Sequence, residues 1–218
     1  YVAWCWKAGG APTTDNVSDS GSPGQTPTSG SVFRGGVAST TAFASANIYP
    51  TRASIASHGG FSIVRYTATG TAGHTLPHGL SVAPEVMLIK EITDDSNDST
   101  NSWVMYHDSA VAGDTDPPED GYLHLDTDVS YRDGDAVWMD TAPSSTLVTL
   151  GDSSYVNRGI GSGEDASTYI AYFFSHIEGM QSFGGYVGNN STDGPFIYCG
   201  FKPAVVIIKE TDADSTNW

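Results

Sequence analysis

Between residues 60 and 180 the chain alternates short apolar runs with clusters of Gly, Pro, Asp, Asn and Ser. Phe61 to Tyr66 has strand character. Glu85 to Ile92 is an apolar run of strand length that follows Pro84. Ser102 to His107 alternates, with Trp103, Met105 and His107 on one face and Val104 and Tyr106 on the other. Tyr122–Leu125, Ala136–Met139, Ser145–Leu150 and Thr168–Phe174 continue the pattern, and His74 to Gly79 reads as turn. A period of two in β-branched and aromatic residues, broken at turn clusters such as 116–121 and 132–135, predicts strands. No segment carries a long stripe of period 3.6 with caps. The expectation is an all-β chain of antiparallel β-sandwich or jelly-roll-like units in tandem.

The flanks read differently. Tyr1 to Lys7 is β-branched and aromatic and reads as a strand. From Gly9 to Gly36 there is almost nothing to bury, and the composition is that of a linker. Residues 37–59 carry only isolated Phe43, Ile48, Tyr49 and Ile55. They read as an extended connection lying on a neighbouring surface, with one or two short strands.

Two internal matches organise these pieces. Val82 to Glu91 resembles Phe201 to Glu210, with Pro84 and Pro203 in register 119 positions apart. A polar loop ending in Trp follows each run, at Trp103 and Trp218. Tyr1-Val2-Ala3-Trp4-Cys5-Trp6 resembles Tyr169-Ile170-Ala171-Tyr172-Phe173-Phe174, 168 positions apart. The two offsets differ by 49, the length of segment 11–59. The chain therefore divides into a closing strand of one unit (1–10), a Gly/Ser/Thr/Pro-rich extended linker (11–59), a complete unit (60–180) and the opening part of another (181–218). A unit broken midway leaves strand edges open, so the expectation is a window on a longer polypeptide.

Bulk numbers narrow the function. Aromatics make up 11% and charged residues only 16%, too aromatic and too weakly charged for a disordered acidic chain. The formal charge of −16 repels phosphate backbones and anionic membranes, so neither nucleic acid nor membrane is an expected partner. No run approaches eighteen apolar residues, so no membrane span is expected. Cys5 and Cys199 lie far apart within apolar runs. They form no disulfide framework or zinc spacing and read as buried free thiols.

Several stretches resemble a repeated domain of tail-fibre and tail proteins of tailed, often marine, bacteriophages. They are Tyr1 to Pro12, Gly60-Phe61-Ser62-Ile63-Val64, His78 to Pro84, Ser191 to Phe196 and Gly200-Phe201-Lys202-Pro203. The resemblance covers nearly the whole chain and is weakest at 108–140. It implies a structural component of the virion: a tail-fibre segment serving host attachment, whose partners are other copies or subunits of the appendage. A glycan- or receptor-binding module of the fibre and a head-attached fibre or decoration protein are the alternatives. It carries no catalytic residues, and no enzyme is expected.

The candidate chemistry is sparse. Twenty-five acids supply carboxylate pairs by chance, so a glycosidase pair carries no weight. His58, His74, His78, His107, His124 and His176 form no metal-binding His-x3-His pair on a helix and read as half-buried strand histidines. No Gly-x-Ser-x-Gly elbow occurs, and Gly159 to Gly163 reads as a hairpin loop. No cofactor is expected apart from a candidate structural Ca²⁺. Its oxygen ligands would come from Asp94, Asp98, Asp114, Asp116, Asp126, Asp128, Asp133 and Asp135. Among aromatics able to stack on a host-surface glycan, Trp138, Tyr122 and Tyr131 are the surface candidates. Trp103 and Tyr106 are further candidates, of which Trp103 reads as core because a Trp recurs at its place in the next unit.

Overall fold

A computed structural model of the protein describes residues 5–17, 22–93, 102–111, 116–159, 166–216 and 218. Three long runs form its centre. β4 (Phe61–Thr67) and β6 (Val86–Glu91) flank β11 (Thr168–Phe174) on either side, both antiparallel to it. Ala171 faces Val64 on one neighbour and Ile89 on the other. Because side chains alternate across a strand, each run supplies two faces. Val64, Tyr66, Met87, Ile89, Tyr169, Ala171 and Phe173 enter the larger core, while Phe61, Val86 and Phe174 enter a second cluster on the opposite face. Strands buried on both faces read as near-continuous apolar runs, which is how 86–89 and 169–174 read.

Shorter strands extend this centre. On the β4 side lie β3 (Arg52–Ile55), β1 (Val32–Arg34) and β2 (Val37–Ala38). On the β6 side lie β7 (Val104–His107), β8 (Gly121–His124) and β9 (Arg132–Asp133). The result is a nine-stranded sheet in the order β2-β1-β3-β4-β11-β6-β7-β8-β9. It is mixed, because β1 runs parallel to β3. A separate antiparallel pair, β5 (His74–Pro77) and β10 (Leu147–Leu150), contributes Leu76, Val148 and Leu150 to the larger core. The described residues contain strands, turns and one 3₁₀ turn, Pro118–Asp120, and no α-helix. The all-β expectation stands at that level, with a large mixed sheet in place of a purely antiparallel one.

The 11–59 connection is built into the sheet. It supplies β1, β2 and β3, and buries Val32, Phe43, Ile48, Ala53 and Ile55. The described part of 9–31 forms no strand, and buried polar groups hold it. Asn16 donates from Nδ2 to the carbonyls of Gly24 and Pro50, and its Oδ1 accepts the Thr28 N–H. Gly9 lies so close to Ile55 that an added Cβ would sit 2.0 Å from the Ile55 carbonyl oxygen, which no larger residue permits.

Four local expectations are corrected. His74 to Pro77 is a strand, because it pairs with Leu147–Leu150 and sets Leu76 opposite Val148 in the larger core. Ala136 to Met139 is a pair of turns. The Val137 N–H donates to Gly134 O and the Met139 N–H to Asp135 O, so the adjacent Val137 and Trp138 both point inward. A strand cannot bury two consecutive side chains on one face. Cys5 is exposed and Cys199 half-buried, so neither is the buried thiol expected; both are free. Residues 201–210 form no strand.

Candidate functional site

The loops between β7 and β10 hold most of the residues with candidate chemistry. Pro118–Asp120 turns the chain into β8, whose Gly121 lies under the Tyr131 ring: a Cβ there would meet Tyr131 Cζ at 2.6 Å. Asp116, Glu119, Asp120, Asp133 and Asp140 gather around this turn. Desolvation, followed by Asp140, Asp116, Glu119 and Asp133, pushes the Asp120 carboxyl above its ordinary value. Desolvation and the same acidic neighbourhood raise the Tyr131 hydroxyl, whose O–H donates to Pro118 O.

Of the candidate Ca²⁺ ligands, Asp94, Asp98 and Asp114 lie outside the described residues. Asp116, Asp126, Asp128, Asp133 and Asp135 are exposed. Asp126 is partly committed, since its Oδ2 accepts the Trp103 N–H. Among the described residues no group of three or more His, Cys, Asp or Glu side chains is arranged to hold a metal ion.

The aromatic candidates separate. Trp138 is 1% exposed and packs edge-on against Tyr106, itself 4% exposed. Trp138 therefore has no free face for a sugar, because the turns across Ala136–Met139, where the sequence predicts a strand, bury it. Tyr122 and Tyr131 are half-buried. Tyr122 forms a cluster with His124 and Tyr155, with centroids 5.2 and 5.5 Å from its own. Trp103 is half-buried, 5.8 Å from Tyr172. A shallow groove lined by Leu125, Asp126, Thr127, Asp128 and Trp218 opens beside these residues, and Trp218 Nε1 donates to His124 O.

The histidines are structural in a way the sequence did not reveal. His58, His78 and His107 each accept at Nδ1 the backbone N–H two residues on, from Gly60, Leu80 and Ser109. The ring thus caps a tight turn as Asn or Asp side chains do. His78 is the most buried, at 0% exposure, with Nε2 3.2 Å from Ser144 O. Burial pushes its imidazole down to about 4, partly opposed by the Ser144 carbonyl.

This gives a pH dependence with a definite sign. Between about pH 6.5 and 4 the unfolded chain binds a proton at this position and the folded chain does not. The stability contributed by neutral His78 is therefore full above pH 6.5 and falls as the solution is acidified, by about 3 kcal/mol in all. Urea unfolding at pH 7 and pH 4.5 measures the loss. His78→Gln, which cannot protonate, is expected to lose markedly less than wild type over that interval, and an equal loss would refute the assignment.

The arrangement defines a β-rich protein, helix-free among its described residues, in which His58, His78 and His107 cap tight turns, with acidic, tyrosine-bearing loops at one end of its large sheet. The chain belongs to the family described as a domain of unknown function (DUF7483), which spans residues 33–218 of it. No curated protein and no solved structure matches the chain. No helix of the described residues is long and apolar enough to cross a membrane.

Proposed function

We propose that this chain is a structural segment of a tailed-phage virion appendage, a tail fibre, that serves host attachment. The observation that carries the reading is the reuse of strand sequences. Phe201 to Glu210 repeats the run that forms β6, and Tyr1 to Trp6 repeats the run that forms β11. Units that share strand sequences in tandem suit a protein whose task is reach and rigidity. The finer picture of sandwich-like units in tandem, with 60–180 as the complete one, belongs to this proposal. The strand-rich core, the acidic charge and the structural use of the histidines fit a non-enzymatic role.

Antibodies raised against the protein test the reading on purified virions. The expected result is labelling of a surface appendage and reduced adsorption to host cells. Virions that bind no antibody would remove the proposal. A head-attached fibre or decoration protein is the alternative that head labelling would select.

The half-buried Tyr122 and Tyr131 beside carboxylates favour a second reading, a glycan-binding loop set on the same appendage. Binding to a glycan array, with and without Ca²⁺, that is lost in Tyr122→Ala or Tyr131→Ala would support it. Trp138, buried under the 134–141 turns, is not one of its contact residues.

A further inference from the structure

We infer that the open face of the central strands, with Tyr172 and Trp103 as its floor and Arg65 and Lys90 along its edge, binds a carboxylate-bearing glycan. This site is independent of the appendage reading and uses neither Tyr122 nor Tyr131. Strands β4, β11 and β6 alternate between a closed face and an open one. On the closed face Val64, Tyr66, Ile89, Tyr169, Ala171 and Phe173 are each 0% exposed. On the other face Ile63, Arg65, Leu88, Lys90, Ile170 and Tyr172 are only half-buried. On these three strands the second core cluster buries only the end at Phe61, Phe174 and Val86.

Cross-strand partners share a face, so the register sets Arg52, Arg65, Ile170 and Lys90 in one row. Neighbouring strands lie about 4.8 Å apart, which puts the Arg65 and Lys90 Cα atoms about 10 Å apart across Ile170. The row holds three of the chain's nine Lys and Arg residues. Asp15 pairs with Arg52 and lies 3.8 Å from Arg65 Nη1. Three cations against one carboxylate leave the row positive in a chain whose formal charge is −16. The Lys90 ammonium has no hydrogen bond or ion pair among the described residues.

The aromatic floor lies beside this row. Tyr172 stands between Ile63 and Leu88. Trp103, one residue before β7, continues the register beside Lys90, and its ring centroid is 5.8 Å from that of Tyr172. Phe61 stacks against Tyr172 at 6.4 Å and 19°. The Tyr172 hydroxyl and Trp103 Nε1 have no partner among the described residues. An aromatic plane takes the apolar face of a sugar ring, and polar groups at its rim bond the sugar hydroxyls. Arg65 and Lys90 are placed to take a carboxylate on the same ring or the next one.

Other occupants fit less well. β4, β11 and β6 are each paired on both sides, so no free backbone is left for an extended peptide to join. The overall negative charge repels a chain of phosphates. Asp126 and Asp128 line the groove with Trp218 beyond Trp103, so the ligand's acid faces the β4–β6 side and its neutral rings face Trp103.

Isothermal titration of the whole chain tests the site with three probes: an oligogalacturonate, a hyaluronan oligosaccharide and an oligosialic acid. Each is compared with its methyl ester, which keeps the rings and removes the charge. At least one acid is expected to bind, and its ester to bind about tenfold more weakly or worse, the size of one charge-assisted hydrogen bond. Lys90→Gln and Trp103→Ala are expected to lose binding by a similar factor, the first with an unchanged melting temperature. Tyr122→Ala and Tyr131→Ala are expected to bind as wild type, which separates this site from the loop reading. No binding of any acid, equal binding of acid and ester, wild-type binding by Lys90→Gln, or equally tight binding of poly-glutamate would overturn the inference. So would a mass in light scattering that rises with concentration in the wild type and not in Lys90→Gln, which would give this face to a second copy.

Discussion

Asn157→Ala is expected to lower the unfolding free energy by about 4 kcal/mol, since each lost hydrogen bond that strands a buried partner costs about 1–3 kcal/mol. Asn157 is 0% exposed, and its amide ties the β4–β5 connection to its own β10–β11 connection. Oδ1 accepts the N–H groups of Thr69 and Gly70, and Nδ2 donates to the carbonyls of Thr71 and Gly151. Alanine leaves four backbone groups without a partner in a space too closed for easy solvation. Asn157→Asp preserves shape but turns the donor into an oxygen facing two carbonyls, so it is expected to destabilise at least as much. Typical domains are stable by about 5–15 kcal/mol, so either variant approaches unfolding at physiological temperature. Urea denaturation at pH 7 measures both. A loss below about 1 kcal/mol for Asn157→Ala would show that the clamp does not hold these loops.

Trp138→Ala is expected to cost about 3–5 kcal/mol, the usual range for emptying a large buried aromatic site. The ring is 1% exposed and stands edge-on to Tyr106 at 6.0 Å. Its Nε1 has no hydrogen-bond partner among the described residues, so Trp138→Phe sacrifices volume but no bond and is expected to cost about 1–2 kcal/mol. Differential scanning calorimetry separates the two variants. If Trp138 instead served as a sugar platform, alanine would leave the melting temperature near wild type, and that result would return it to the surface.

The sequence made the long strands legible and the short ones not. β4, β6, β7 and β11 announce themselves because a strand buried on two faces, or alternating between them, needs several β-branched or aromatic residues in a row. β1 and β3 each contribute a few residues, of which Val32, Ala53 and Ile55 carry the burial. So sparse a pattern cannot be told from a linker. Residues 74–77 read as turn because His, Pro and Gly dominate the neighbourhood, yet pairing with β10 overrides that local signal. At 136–139 the error ran the other way, since an apolar run of four fits a strand as well as it fits two inward-pointing turns.

The candidate site was legible only as composition. That acidic and aromatic residues share the 116–140 loops could be read directly, and Tyr122 and Tyr131 keep partly open positions there. Which aromatic faces inward is decided by the backbone turns. Asn16, in a stretch rich in Thr, Asp and Ser, and Asn157, two residues before Gly159, each read as an ordinary turn former. Their role depends on carbonyls 34 residues away for Asn16 and 86 residues away for Asn157. The histidine caps at 58, 78 and 107 left a faint trace, a turn-forming Gly or Ser within two residues of each ring.

The proposed role as a building block of a virion appendage is tested most directly by cryo-electron microscopy of the intact virion. The account predicts appendage density that accepts the nine-stranded sheet, with further strand-rich units in line along the same fibre. Virions whose appendages are fully accounted for by other chains, with no density for this sheet, would contradict it.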